Sequence, residues 1–299
     1  MSLHRVRVAG VPAWVPASRL LGVGAWVSGP EGVHEATLDT PAAADLSARL
    51  RGLGMGGCTI SVMCSPALPR AAVRAARLED ARRRRDTTPG FERPGTRLDA
   101  EGRMSLTPEA LARTLAAELP AGGEVWDLGC GAGGNAIAFA RAGHSVVAVE
   151  RDAARLADAR HNAGVYGVTG RIRFVQADAV AFLAASTVSA ETTLFVDPPW
   201  GAEWDRVRCA AEAFPLLTAV YAARGPRALF AKLPPSFDPA TLDASATATA
   251  YFGVAGGDAQ RVKFVRVWVG PASRAAPSPT ATAPRSGSDR RADDDRSPA

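Results

Sequence analysis

The sequence predicts an α/β protein built on a doubly wound, mostly parallel seven-stranded sheet, preceded by a small N-terminal α/β module. Three observations predict this fold. Apolar, β-branched stretches alternate with helical patterns of about ten to fifteen residues from about residue 97 to residue 271. A glycine-rich loop follows the first of these stretches, and an acidic residue ends several of them. Strands separated by helices of this length form βαβ units, and such units build a parallel sheet.

The composition argues against several classes of protein. No apolar run reaches the ~18 residues that a membrane-spanning helix needs. Pro12, Pro16 and Arg19 interrupt the N-terminal apolar stretch, so a signal peptide is not expected. The four cysteines form no CxxC pair and the four histidines are scattered, which argues against a metal site and a disulfide framework. This cysteine usage fits a reducing, cytoplasmic compartment.

Residues 1–86 form the predicted N-terminal module. The stretches "VRVAGVPAWV" and "CTISVMC" are typical of strands. A helix is predicted over "TPAAADLSARLRGLG", because Thr40-Pro41 is a start signal and Gly54 or Gly56 a stop signal. A second, basic helix is predicted over "LPRAAVRAARLEDARRRRD".

The positive charge is mostly arginine, since Lys232 and Lys263 are the only lysines in a chain of net charge +5. An Ala/Arg-rich coding bias and a polyanionic partner both explain such a composition, because clustered arginines neutralise phosphates. Spacings of three and four place several arginines on one face of the basic helix. The candidates for phosphate contact, with a solvated helix face as the alternative, are Arg70, Arg74, Arg77, Arg82, Arg83, Arg84 and Arg85.

Residues 87–271 form the predicted main domain, which begins with the Pro/Gly-rich connector "TTPGFERPGTR". Its strands are predicted at "EVWDL", "SVVAVE", "RIRFVQAD", "TTLFVD", "RALFAKL" and "RVKFVRVWVG". The hairpin-like "YFGVAGGDAQ" before the last strand favours an antiparallel final strand. Residues 272–299 contain almost no large apolar side chain, and they are predicted to be a disordered tail.

The first chemical motif is "VWDLGCGAGGN", at the end of the first core strand. Gly129, Gly131 and Gly134 match GxGxxG, a pattern that is also typical of dinucleotide-binding dehydrogenases. Asp127, two residues before the first glycine, would repel a pyrophosphate at the helix N-terminus. It suits the ammonium group of S-adenosylmethionine (SAM).

Two more acids end the next strands. Glu150 is placed to accept hydrogen bonds from ribose hydroxyls, and Asp178 from an adenine amino group. Asp178 is equally typical of a helix N-cap. Because the carboxyl ends of parallel strands form the ligand crevice, three acids in this register favour SAM over a nicotinamide dinucleotide.

The second motif is "LFVDPPWGAEWD", beginning at Leu194, where the fourth strand ends. Asp197 and the Pro198 carbonyl can each accept an N–H from an exocyclic amine, and Pro198 and Pro199 fix the backbone that carries them. Trp200 offers a face for a base to stack on, worth ~1–3 kcal/mol. The alternative is a tight Pro-Pro turn with a partly buried tryptophan. Trp204 and Asp205 are predicted to start a helix.

The stretches "RLDAEGRMSLTPEALARTLA", "DLGCGAGGNAIAFA", "ARHNAGVYGV" and "DPPWG" together resemble the trimethylguanosine synthase family, over roughly residues 90 to 235. These are RNA cap guanine-N2 methyltransferases with a class I, Rossmann-like fold. The resemblance implies a SAM cofactor and an RNA substrate. It implies that Ser105 and Thr107 bind the methionine end of SAM, and that the family's glycine loop corresponds to Asp127, Gly129, Gly131 and Asn135. It further implies that Glu150 and Asp178 bind the nucleoside of SAM and that Trp200 stacks on the guanine. From the residues alone, Thr107 is a helix N-cap with Pro108 in the first turn.

The sequence departs from the family at two positions near the substrate. Asp197 stands where the family has Ser, and Arg103 where it has an aromatic residue. Lys232 in "AKLPPSF" is left without a role. The leading hypothesis is methylation of a guanine N2 amine in RNA. Methylation of adenine N6 in DNA or RNA is favoured by Asp197, and a non-catalytic RNA-binding module is opposed by the intact glycine loop and DPPW motif.

Overall fold

The computed structural model describes residues 2–200, 204–223 and 228–270. Its strands are β1 (Leu3–Ala9), β2 (Val27–Ser28), β3 (His34–Asp39), β4 (Gly54–Met55), β5 (Cys58–Thr59), β6 (Ser61–Ser65), β7 (Glu124–Leu128), β8 (Ser145–Glu150), β9 (Ile172–Gln176), β10 (Thr193–Val196), β11 (Ala228–Leu233), β12 (Thr247–Phe252) and β13 (Val262–Val269). Its α-helices are α1 (Ala17–Leu21), α2 (Thr40–Leu50), α3 (Arg70–Arg83), α4 (Ala100–Ser105), α5 (Glu109–Ala117), α6 (Gly134–Arg141), α7 (Ala153–Val165), α8 (Ala179–Ala184) and α9 (Pro215–Ala223). The predicted tail, residues 272–299, lies outside the described residues.

The main sheet has seven strands in the order β12-β13-β11-β10-β7-β8-β9. The five strands from β11 to β9 run parallel to one another, whereas β13 pairs antiparallel with both β11 and β12. The predicted doubly wound, mostly parallel seven-stranded sheet is therefore confirmed, as is the antiparallel final strand. Strand β12 is not among the predicted strands, since the sequence pattern indicates only a hairpin-like approach in this region.

The central strands are apolar without interruption because both faces of the sheet are covered. Every residue of β10 is buried, as are all residues of β7 and β8 except the first of each. One face packs on α5, α6 and α7, with Phe139 and Phe195 at 5.0 Å between ring centroids. The opposite face packs on α8 and α9.

The N-terminal segment builds a second sheet in the order β2-β3-β1-β6, covered on one face by α2. Its core continues into the main sheet, because Ala250 and Phe252 of β12 belong to the same apolar cluster. The connector is fixed at Thr88, whose amide and hydroxyl both donate to the buried Asp258 at 2.8 Å. The domain boundary after residue 86 stays a prediction.

No helix in the described part of the chain combines the length and the apolar character that crossing a bilayer requires.

Candidate cofactor and acceptor site

The glycine loop joins β7 to α6 and requires glycine for two different reasons. Gly129, Gly131 and Gly133 have φ angles of +96°, +52° and +88°, which L side chains rarely adopt. Gly134 is needed for space, because a Cβ there would lie 2.5 Å from the Leu106 side chain. An added Cβ at Gly131 would meet no atom within 4 Å, so this part of the loop faces open space.

Asp127 lies near the end of β7 with a side chain that is 0% exposed. Among the described residues neither carboxylate oxygen makes a hydrogen bond of ordinary geometry, although the backbone amide of Ala136 on α6 acts on the carboxylate and opposes the rise of its pKa. Burial, followed by repulsion from Asp197, raises the pKa of Asp127 to about 8. Because a buried polar group without a partner is costly, this carboxyl is suited to a cationic ligand group.

Asp197, one residue beyond β10, is the centre of a second polar cluster. Its Oδ2 accepts a hydrogen bond from Lys232 Nζ at 2.6 Å and from Asn135 Nδ2 at 3.3 Å. Burial raises the pKa of Asp197 above its ordinary value, and the Lys232 ammonium opposes that rise. Both of these hydrogen bonds fall on Oδ2, and the Thr107 hydroxyl also acts on this carboxylate and lowers its pKa; Oδ1 keeps lone pairs for an incoming group.

Lys232 is the site residue that the sequence left unassigned. Its side chain is buried, and besides Asp197 its Nζ donates to the Ser105 carbonyl at 3.2 Å. The same Nζ lies 5.2 Å from the centroid of the Trp200 ring. A lysine near the carboxyl end of a buried strand is the sequence signal for this role, because parallel strands bring their carboxyl ends to one edge of the sheet.

The predicted N-cap at Thr107 is wrong. Helix α5 begins at Glu109 with Pro108 at the cap position, and no side chain caps it. The connector satisfies the first helical amide instead, since Glu109 N donates to the Gly90 carbonyl at 2.9 Å. The Thr107 hydroxyl is buried and makes no hydrogen bond of ordinary geometry among the described residues, although it lies near enough to Asp197 to lower the pKa of that carboxyl.

Ser105 lies at the exposed end of α4, and its hydroxyl donates to the Glu101 carbonyl of the same helix. It contributes its backbone carbonyl, rather than its hydroxyl, to the cluster around Lys232. The role predicted for the Ser105 side chain stays a prediction.

The DPPW stretch continues from Asp197 with Pro198 buried, Pro199 exposed and Trp200 half-buried. The Trp200 ring packs against apolar clusters on both sides of the sheet and lies 6.2 Å from the Trp204 ring, nearly perpendicular to it. The predicted stacking of a base on Trp200 stays a prediction, and residues 201–203 lie outside the described part of the chain.

Trp204 and Asp205 do not start a helix, contrary to prediction. The Asp205 carboxylate accepts hydrogen bonds from the amides of Val207 and Arg208, and the chain continues as a bend. This carboxylate caps a turn, a common use of aspartate in loops.

The carboxylates of Glu150 and Asp178 both accept hydrogen bonds from backbone amides. Glu150 is buried and accepts from the amides of Gly131 and Asp152 at 3.0 and 2.9 Å, so it fixes the glycine loop. Asp178 is exposed and accepts from the amides of Val180 and Ala181, which confirms the helix N-cap interpretation. It has no hydrogen bond to the other predicted site residues of the described chain.

Asn162 of α7 links the stretches that carry the family resemblance. Its side-chain oxygen accepts a hydrogen bond from the Arg97 amide at 2.7 Å. Its side-chain nitrogen donates to the Arg97 carbonyl at 2.9 Å and to the Ala132 carbonyl at 3.0 Å. Arg155 of the same helix pairs with Asp99 and Glu101. The block around α4 is therefore bound to the glycine loop through α7.

Six of the seven predicted phosphate-binding arginines, all except Arg85, fall into two groups. Three of the later ones pair with acids of the fold: Arg82 with Glu79, Arg83 with Asp45 and Arg84 with Asp80. In the described chain no carboxylate pairs with Arg70, Arg74 or Arg77, which line an open surface cavity of about 350 Å³ together with Leu68 and Val73.

A mostly parallel seven-stranded sheet with a glycine loop after its first strand is the architecture of a class I, SAM-dependent methyltransferase domain. A model of the family described as RNA cap guanine-N2 methyltransferase matches residues 123–205, which include both motifs. The trimethylguanosine synthase of Schizosaccharomyces pombe is 31% identical over 113 residues, covering 36% of this chain and 47% of that protein. These matches confirm the resemblance to trimethylguanosine synthase in the methyltransferase core. The chain spans about half the length of this curated relative.

Solved methyltransferases show more distant similarity. An RNA methyltransferase from Salinibacter ruber, in complex with S-adenosyl-L-homocysteine, is 19% identical with a TM-score of 0.38, covering 56% of this chain and 95% of its own. A precorrin-6y C5,15-methyltransferase from Geobacter metallireducens is 14% identical with a TM-score of 0.42, covering 60% and 96%.

Proposed function

We propose that this protein transfers a methyl group from SAM to the exocyclic N2 amine of a guanine in RNA. The observation that carries the proposal is the position of two carboxylates, the fully buried Asp127 and the partly buried Asp197, at the carboxyl ends of the neighbouring strands β7 and β10. The first has no partner and suits an ammonium group, and the second has an oxygen left to accept an amine N–H. The family match over residues 123–205 supports guanine in RNA as the substrate class.

The residues of the site fit the cofactor. Asp127 would hold the ammonium group of SAM, Thr107 its polar methionine end, and Glu150 its ribose hydroxyls, beside the open space at Gly131. When bound, SAM would supply a methyl group on a positively charged sulfur; the amine nitrogen would bond to the methyl carbon as the carbon–sulfur bond breaks, leaving a neutral thioether, and the methylated nitrogen would lose one proton to water.

The chain itself would position the amine. The lone pair of an exocyclic amine is delocalised into its ring, so accepting its N–H bonds helps the nitrogen to pyramidalise. Oδ1 of Asp197 would accept one N–H and the Pro198 carbonyl the other, while Trp200 stacks on the ring. Catalysis would consist of positioning and electrostatics, without a covalent intermediate on the protein.

Adenine N6 is the second candidate acceptor, because Asp197 occupies the position where the resembled family has Ser. Incubating the purified protein with tritiated SAM and RNA from cells lacking the gene, followed by mass spectrometry of the nucleosides, separates the two. N2-methylguanosine supports the proposal, whereas N6-methyladenosine as the sole product would establish the second candidate. Asp197→Ala should abolish transfer and retain cofactor binding.

We further propose, as part of this function, that Arg70, Arg74 and Arg77 contact RNA phosphates and that the protein acts in the cytoplasm. Each phosphate contact to a single strand contributes about 0.7 to the slope of log affinity against log salt. Replacing all three arginines by glutamine should therefore weaken RNA binding and lower that slope by about 2. An unchanged slope would exclude this surface as the RNA path.

A further inference from the structure

We infer that Lys232 is a positioning residue of this site, whose ammonium group keeps Asp197 ionised and holds its Oδ2, so that Oδ1 alone receives the target amine. The inference deepens the proposed function and rests on it.

The sheet itself pairs the two residues. Val196 at the end of β10 lies opposite Ala231 of the parallel strand β11, so Asp197 and Lys232 follow at the next position of the same register. Nζ and Oδ2 are 2.6 Å apart, and the side chains are only 6% and 16% exposed. At this burial a charged side chain needs its partner, since a lone ion would lose its hydration without compensation.

Lys232 is the positive group among several negative ones. Among the described residues, the charged groups that face Asp197 are Lys232 from β11 and Asp127 from β7, and Glu150 from β8 raises the pKa of Asp127 further. Without the ammonium group, burial would be opposed only by the smaller effects of the Asn135 and Thr107 hydrogen bonds on Asp197. Its pKa would rise, and the protonated acid would be a poorer acceptor for an amine N–H.

The ion pair also explains how an aspartate can stand where the resembled family has a serine. The ionised Asp197 and Lys232 together carry no net charge. A serine beside an apolar residue at these two positions would be neutral as well. Asp197→Ser alone should leave a buried ammonium without a counter-ion, whereas Asp197→Ser combined with Lys232→Met restores neutrality. The double variant should therefore be more active than either single variant.

The test compares these three variants with Lys263→Met, which removes the only other lysine of the chain. Lys263 pairs with Asp258 at 3.0 Å, outside the site. Methyl transfer from tritiated SAM to RNA from cells lacking the gene is measured from about pH 6 to about pH 9. Lys232→Met should lower kcat at neutral pH by about tenfold or more and move the acidic limb of kcat to higher pH. Lys263→Met should keep the wild-type pH profile, and the double variant should recover about tenfold over Lys232→Met.

Two results would overturn the inference. One is a wild-type kcat and pH profile for Lys232→Met. The other is a double variant whose loss equals the product of the two single losses, because independent sites show such additivity.

A measurement without turnover separates the inference from the proposed function. Selective ¹⁵N labelling of lysine gives two side-chain ammonium signals, from Lys232 and Lys263. Asp197→Ser should shift the Lys232 signal and leave the Lys263 signal in place. An unshifted Lys232 signal overturns the inference even if the enzyme is active. A wild-type protein that methylates no RNA, combined with a shifted signal, refutes the proposed function alone.

Discussion

Replacing Asp127 by asparagine should stabilise the fold and remove cofactor affinity at the same time. The carboxyl is fully buried without a partner, and its pKa is raised from 3.8 to about 8. The folded protein therefore binds this proton more tightly than the unfolded chain, so stability falls as pH rises from about 4 to about 8. The four pH units between these values correspond to roughly 5–6 kcal/mol above pH 8.

The asparagine variant lacks this penalty, although its amide is also buried without a partner, at a cost of about 1–3 kcal/mol. We therefore expect a net gain of about 2–5 kcal/mol at about pH 8.5, and little or no gain at about pH 5, where the native carboxyl is protonated. Denaturant unfolding at the two pH values measures the difference. A gain of equal size at both would show that the pKa of Asp127 is not the cause.

The same proton governs binding in the wild-type protein. An ammonium ligand must displace it below about pH 8, so affinity should fall about tenfold for each pH unit below that value. Calorimetry with S-adenosylhomocysteine in buffers of different ionisation enthalpy should show close to one proton released at about pH 6. A dissociation constant that is constant between pH 6 and 8, without proton release, would refute the role assigned to Asp127.

Two other predictions concern how the loop is built. Gly131→Ala should lose about 1–2 kcal/mol of stability through its left-handed backbone, as should Gly167→Ala, whose φ is +71° and whose added Cβ also meets no atom within 4 Å. Calorimetry should show a loss of cofactor affinity for Gly131→Ala alone, and equal affinities would place the ligand away from this loop. Asn162→Ala should cost about 1–3 kcal/mol, because it leaves the buried Ala132 carbonyl unpaired and removes two hydrogen bonds to the Arg97 backbone. Thermal unfolding should show a much smaller loss for His161→Ala, which removes one hydrogen bond to the neighbouring Gly95 carbonyl, and equal losses would disprove the linking role of Asn162.

The sequence predicts the sheet well because the central strands are covered on both faces. Such strands appear as uninterrupted apolar runs, and β7 and β8 coincide with the predicted stretches "EVWDL" and "SVVAVE". Asp127 and Asp197 could be placed in one site for the same reason, since the carboxyl ends of parallel strands meet at one edge.

What the sequence could not supply is which strands are neighbours. Lys232 follows Asp197 by 35 positions, and only the adjacency of β10 and β11 brings the two together. The ion pairs of the basic helix α3 could not be predicted for the same reason. Arg83 pairs with Asp45, which lies 38 residues away on α2. Thr107 fails as a cap because a distant carbonyl, that of Gly90, takes over the first amide of α5.

The site contains several buried polar atoms that lack hydrogen-bond partners, and such atoms destabilise the fold. In the described chain nine buried side-chain nitrogen or oxygen atoms make no hydrogen bond of ordinary geometry, although one of them, Glu118 Oε2, is ion-paired with Arg266 at 2.6 Å. Five of the nine belong to Thr107, Asp127, Asn135 and Trp200. Buried polar atoms are normally satisfied, so a fold that concentrates its exceptions in one place holds them ready for a ligand. Cofactor binding should therefore contribute more to stability here than contact area alone would suggest. The neutral Asp197–Lys232 pair follows the same logic on the acceptor side, where the fold satisfies one carboxylate oxygen and leaves the other for the substrate.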